Sequence, residues 1–180
     1  WLVSLGEQVA SARQAEFERI LAEFDGMVER TPRVIADTAA PNVGINGAAC
    51  SYASIGAAIS AASSGDTIYI PSGNTYNEQL GTIGKDLTFV ASLNDCSGPD
   101  PAATSSSVTI DGGGNSGGIW GGLVDVSLNT VVTFTHIRLY NASATYGGIV
   151  YVDQGAMLVL DESEVEGGQA TTAGGGVRVY

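Results

Sequence analysis

The chain has 180 residues, of which 44% are hydrophobic, only 14% are charged and 25 are glycine. A usual charged share is roughly 25%, so this surface is built from Ser, Thr, Asn and Gly between short apolar runs, the texture of many short strands and tight turns. A formal net charge of −12 argues against phosphate backbones as partners and so against nucleic acid.

The chain begins at Trp1 rather than Met, so loss of an upstream segment is expected: either a signal peptide or a longer hydrophobic helix with Trp1–Leu5 as its tail. Residues 1–34 form the first segment. Leu5, Val9, Ala12, Phe17, Ile20, Leu21, Phe24, Met27 and Val28 fall at helical spacing, which predicts a helix over 1–30 that weakens at Gly26 and stops at Pro32. Such a helix either packs on its own domain or serves self-association.

Residues 35–64 read as a linker followed by a capping helix. Pro41, Gly44, Asn46 and Gly47 punctuate the linker, and no periodicity survives there. A helix is predicted over Ser54 to Ser64, with Ile55, Ala58, Ile59 and Ala62 on one face and Gly65 as its stop. Cys50 and Cys96 are the only cysteines and have no metal-ligand spacing. They are read as one disulfide rather than two free thiols, closing a loop of about 45 residues worth roughly 3–4 kcal/mol.

From residue 65 to 180 the chain repeats. Gly121-Gly122-Leu123-Val124-Asp125-Val126 and Gly147-Gly148-Ile149-Val150-Tyr151-Val152 match at an offset of 26, and Gly174-Gly175-Gly176-Val177-Arg178-Val179 starts a third copy one residue late. Upstream, Ile68/Ile70, Leu87/Phe89, Val108/Ile110 and Val132/Phe134 read as one column of equivalent strands. Each period holds three alternating runs: Val124–Val126, Val132–Phe134 and Ile137–Leu139, then Val150–Val152, Leu158–Leu160 and Ser163–Val165. Three strands per coil predict an all-β parallel β-helix whose stacked coils share an inner wall. A β-sandwich is the alternative, and it would show no fixed long period.

Cys50-Ser51-Tyr52, Ile55-Gly56-Ala57-Ala58-Ile59 and Gly65-Asp66-Thr67-Ile68-Tyr69-Ile70 resemble the capping helix and first rung of pectin-lyase-like right-handed β-helices. Gly147-Gly148-Ile149 and Gly175-Gly176-Val177 resemble the glycine-rich repeats of bacterial surface proteins such as autotransporter passengers and polymorphic outer-membrane proteins. The likeness covers roughly residues 50–180. It implies a right-handed parallel β-helix with an N-terminal capping helix, the additional α-helix of residues 1–34 lying outside it, and an extracellular or cell-surface location. It also implies an alternative activity, since that superfold includes lyases and hydrolases of acidic polysaccharides; the paired aspartates and Gly-His-Gly of such hydrolases are missing here, and no catalytic constellation is found.

Three groups of residues stand out. The 26-residue offset sets Glu162, Glu164 and Glu166 beside His136, Arg138 and Tyr140, about 4.8 Å away on the next strand; this is a charge ladder on a solvated face, with a weak Ca²⁺ or sugar site as the alternative. Tyr69, Tyr76, Tyr140, Tyr146 and Tyr151 are placed to stack on sugars, and Trp120, set among glycines, to do the same, with Trp120, Tyr140 and Tyr151 foremost. Val177, Val179 and Tyr180 end the repeat without a polar cap, an open-ended surface expected either to belong to a longer protein or to self-associate. The expected function is an extracellular structural or adhesive domain of a surface protein, stalk or filament, needing no cofactor, with glycans or a host or cell surface as partners. The alternatives are a fragment of a pectin-lyase-like polysaccharide lyase or hydrolase, or a carbohydrate-binding module.

Overall fold

The computed structural model describes residues 43–114 and 118–180; the helix expected over residues 1–34 lies outside them. The described residues form one short helix and fifteen strands. Strand β1 (Gly44–Ile45) is followed by α1 (Ile55–Ala61) and then by β2 (Thr67–Pro71), β3 (Asn74–Asn77), β4 (Gly81–Ile83), β5 (Leu87–Ser92) and β6 (Val108–Asp111). The repeat proper supplies β7 (Val124–Val126), β8 (Val131–Thr135), β9 (Ile137–Tyr140) and β10 (Ser143–Tyr146), then β11 (Val150–Val152), β12 (Met157–Asp161), β13 (Glu164–Glu166) and β14 (Gln169–Ala173), and finally β15 (Val177–Val179). Among the described residues no helix is long and apolar enough to cross a membrane.

The expected fold class, a single right-handed parallel β-helix of three strands per coil, is corrected. The strands are divided among four separate sheets, ordered β1-β2-β5-β8-β12, β10-β14, β15-β11-β7-β4 and β13-β9-β6-β3. The first is mixed, because β1 runs antiparallel to β2. A full period carries four strands, not three. The fourth, β10 or β14, is made of small and polar residues around Ala144 and Ala170 and shows no apolar alternation to betray it. The expected linker also contains a strand, since β1 lies within it and Val43, just before, is fully buried. Two residues are too few to display a period.

What the periodicity did capture is pairing within the last two periods. Val150 and Val152 lie in parallel register with Val124 and Val126, Leu158 and Leu160 with Val132 and Phe134, and Val165 with Leu139. Upstream the expected column fails at one member: Phe89 pairs with Phe134, whereas Val108 and Ile110 belong to another sheet, between β3 and β9. The inward residues of all these strands make one core with Phe89, Phe134, Ile68, Ile70, Ile110 and Leu139 fully buried. Phe89 and Phe134 stack at its centre with ring centroids 4.8 Å apart.

The helix α1 covers one side of this core with Ile55, Ala58 and Ile59. It is shorter than expected, with Ser54 as N-cap and Ala62 as C-cap. A helix this short leaves most of its end groups unpaired, and charged side chains from the connections after β3 and β4 satisfy them. The Glu78 carboxylate accepts from the Ile55 and Gly56 amides at 2.9 and 3.0 Å, and the Lys85 ammonium donates to the carbonyls of Ile59, Ser60 and Ala62 at 2.9, 3.2 and 2.6 Å. Anion at the N-terminus and cation at the C-terminus both suit the helix dipole. The disulfide expected between Cys50 and Cys96 is present, with Cα atoms 5.3 Å apart. It fastens the segment leading into α1 to the loop that follows β5, and it is a bond characteristic of oxidising compartments rather than the cytosol.

Candidate functional site

The sheet β15-β11-β7-β4 presents one outward column, Thr82, Asp125, Tyr151 and Arg178, in consecutive parallel register. Alternation sends the flanking Val124, Val126, Val150 and Val152 into the core and leaves this column facing out. Asp125 accepts a hydrogen bond from the Thr82 hydroxyl at 3.1 Å. Burial pushes the Asp125 carboxyl above its ordinary pKa, an effect that Thr82 opposes and Asp153 reinforces. The stability tied to this group is therefore fully present below the ordinary carboxylate value and is lost as pH rises through the raised one.

Tyr151 points outward yet is only 5% exposed. The cause is Trp120, whose ring centroid lies 4.8 Å away at a 45° tilt. Trp120 also stacks on Tyr146 at 5.1 Å, 20° from parallel, while the Arg178 guanidinium covers Tyr146 at 5.0 Å. The cluster is fixed from behind by backbone: Trp120 bridges Tyr146 in parallel, and the Tyr146 amide donates to the Ile119 carbonyl at 2.9 Å. Directly after Trp120 the chain must turn sharply into β7. Gly121 has φ 43° there, and a Cβ on Gly122 would overlap the Gly148 carbonyl oxygen, so glycine alone permits the turn and the close approach of the next period. Trp120 itself stays 46% exposed.

Next to this aromatic cluster lies a groove of about 340 Å³ lined by Ser143, Thr145, Gln169 and Thr171 together with Gly118, Ala144 and Ala170. The two features share a strand: Ser143 and Thr145 line the groove, and Tyr146, the next residue of β10, belongs to the cluster.

The other expected sites are placed differently. His136 meets Glu162 at 2.7 Å, as the offset predicts. Arg138 is in register with Glu164 but bonds Glu166 instead, its Nε donating at 2.9 Å, while Glu164 accepts from Ser105. Both the His136–Glu162 and the Arg138–Glu166 pair have exposed glutamates. Arg138→Ala is therefore expected to cost under about 1 kcal/mol in equilibrium urea unfolding; a loss of 2 kcal/mol or more would contradict this. One face of the Tyr140 ring is covered by the Arg138 guanidinium at 4.2 Å, and Tyr76 is buried. Of the five tyrosines, Tyr146 and Tyr151 gather at Trp120. Val177 packs partly against the core, whereas Val179 and Tyr180 are exposed.

Tyr146 is one of the five tyrosines picked out by the sequence, whereas Asp125 and Arg178 do not stand out there as site residues. The repeat alignment does equate Asp125, Tyr151 and Arg178, and that equivalence was the available signal. Comparison with protein-family models, with curated proteins and with solved structures finds no match.

Proposed function

We propose that this chain is an extracellular adhesive domain that binds glycans through the surface centred on Trp120. The observation that carries the reading is a tryptophan left about half exposed while held on two tyrosines. A large apolar ring kept in water forgoes stabilisation of roughly 1–3 kcal/mol that burial would bring, and a ring already fixed by its neighbours loses little further freedom on binding. The C–H face of a sugar ring is an apolar surface suited to such a platform, and sugar hydroxyls suit the Ser, Thr and Gln side chains beside it. The disulfide supports a location outside the cytosol, where glycans are displayed.

A printed glycan array probed with the purified chain tests this. At least one class of oligosaccharide is expected to bind, and Trp120→Ala is expected to weaken that binding about 30-fold or more, the size of an interface hot spot. Arg138→Ala, on another sheet, is expected to bind like the parent. An array without hits, or a Trp120→Ala variant of undiminished affinity, would overturn the proposal.

A further inference from the structure

Resting on that reading, we infer that the site takes a neutral oligosaccharide rather than a single sugar, with one ring on Trp120 and a neighbouring ring in the groove of Ser143, Thr145, Gln169 and Thr171. Three observations support this division into two parts. Platform and groove are continuous along two adjoining backbones: the Thr145 amide donates to Gly118 at 3.2 Å at the groove end, and the Tyr146 amide to Ile119 at 2.9 Å at the platform end. From Gly118 to Trp120 the chain advances only ~7 Å, so neighbouring rings of one short chain can reach both. At about 340 Å³ the groove lies near the lower limit for a ligand pocket, roughly 300–1,000 Å³, room for a small unit of a ligand whose remainder extends onto the platform.

The groove also carries an irregularity in its wall. Ala144 pairs with Ala170 but Tyr146 pairs with Ala173, so β14 holds one residue more than β10 over this stretch. Such bulges redirect side chains and recur beside binding sites. This one falls at Thr171 and Thr172, both exposed, and Thr171 lines the groove.

The preference for neutral sugars follows from charge. The outward column carries Asp125 with Asp153 close by, against one guanidinium, Arg178, already seated over Tyr146, and the whole chain carries −12. A uronic-acid chain approaching this face meets net repulsion.

Titration calorimetry separates the outcomes. The probes are gluco-, galacto- and manno-configured neutral oligosaccharides of one to six rings, with uronic-acid oligosaccharides of matching length. Affinity in the binding series is expected to rise about tenfold from the monosaccharide to the di- or trisaccharide and then level off. The double variant Gln169→Ala/Thr171→Ala, at two exposed positions, is expected to bind the oligosaccharide about tenfold more weakly than the parent, losing the gain that chain length brings. A monosaccharide as tight as its hexamer would overturn the two-part site while leaving Trp120 as a platform, and so would a double variant with parental oligosaccharide affinity. Tighter binding of uronic-acid chains would overturn the charge argument. Absence of binding in every series would remove the glycan reading as a whole. The length series on the parent chain needs no variant, so the inference stays testable even if the double variant fails to fold.

Discussion

Replacing Phe134 by Ala is expected to lower folding stability by about 3–5 kcal/mol, the range for removing a buried aromatic from a packed core. Phe134 is fully buried and stacks on Phe89 at 4.8 Å, with Leu160 in register on its other side. Strands β5, β8 and β12 are consecutive in one sheet, so the cavity would open between three strands whose backbones are tied by hydrogen bonds and cannot collapse onto it. The same register offers an internal control. Leu160 is 39% exposed, and Leu160→Ala is expected to cost only ~1 kcal/mol, since much of its surface was never removed from water. Equilibrium urea unfolding of both variants checks the contrast. Equal losses, or a loss under 1 kcal/mol at Phe134, would mean that this stack is not the centre of the core.

That contrast also shows which parts of the fold were legible in the sequence. The columns Val124/Val150 and Phe134/Leu160 were readable because parallel register repeats large apolar residues at one offset. Ser143 and Ala144 pair with Gln169 and Ala170 at the same offset but contribute small inward residues, so a period of four strands read as three. The one-residue delay of the third glycine run had a physical cause, the extra residue that β14 absorbs as a bulge before Gly174. Upstream, spacing misled: a long excursion after Ser92, holding Cys96, displaces the next strand, and Val108 pairs where contact rather than count places it. At the charge ladder the offset gave His136 its partner, because facing residues on neighbouring strands need no further information. It could not give Arg138 its partner, since that choice depends on Ser105 reaching Glu164 from a loop. Trp120 and Tyr151 were legible as aromatics; that they touch depends on the glycine turn between Trp120 and β7.

Removing the disulfide is expected to have the second large effect, about 3–4 kcal/mol for Cys50→Ser/Cys96→Ser, set mainly by the freedom returned to the unfolded chain over a separation of 46 residues. The loss should begin locally. Strand β1 has only two residues and is held by its antiparallel pairing with β2 and by the Val43–Tyr52 bridge. Its Gly44 also packs against Cys96, with no room for a side chain between them. Once the link is cut, this short element keeps only that pairing and the Asn46 bonds to Asp66 and Thr67, and Val43, fully buried in the native chain, would leave the core with it. Hydrogen exchange distinguishes this from a uniform weakening. Amides of Val43 and Asn46, which donate to Tyr52 and Thr67, are expected to lose most of their protection in the double variant. Amides in β8 and β11 should lose only what the global change requires. The parent protein under reducing agent should behave like the variant. If both sets of amides lose protection equally, the disulfide acts on the whole fold through the unfolded state alone, and the local anchoring of β1 would have to be abandoned.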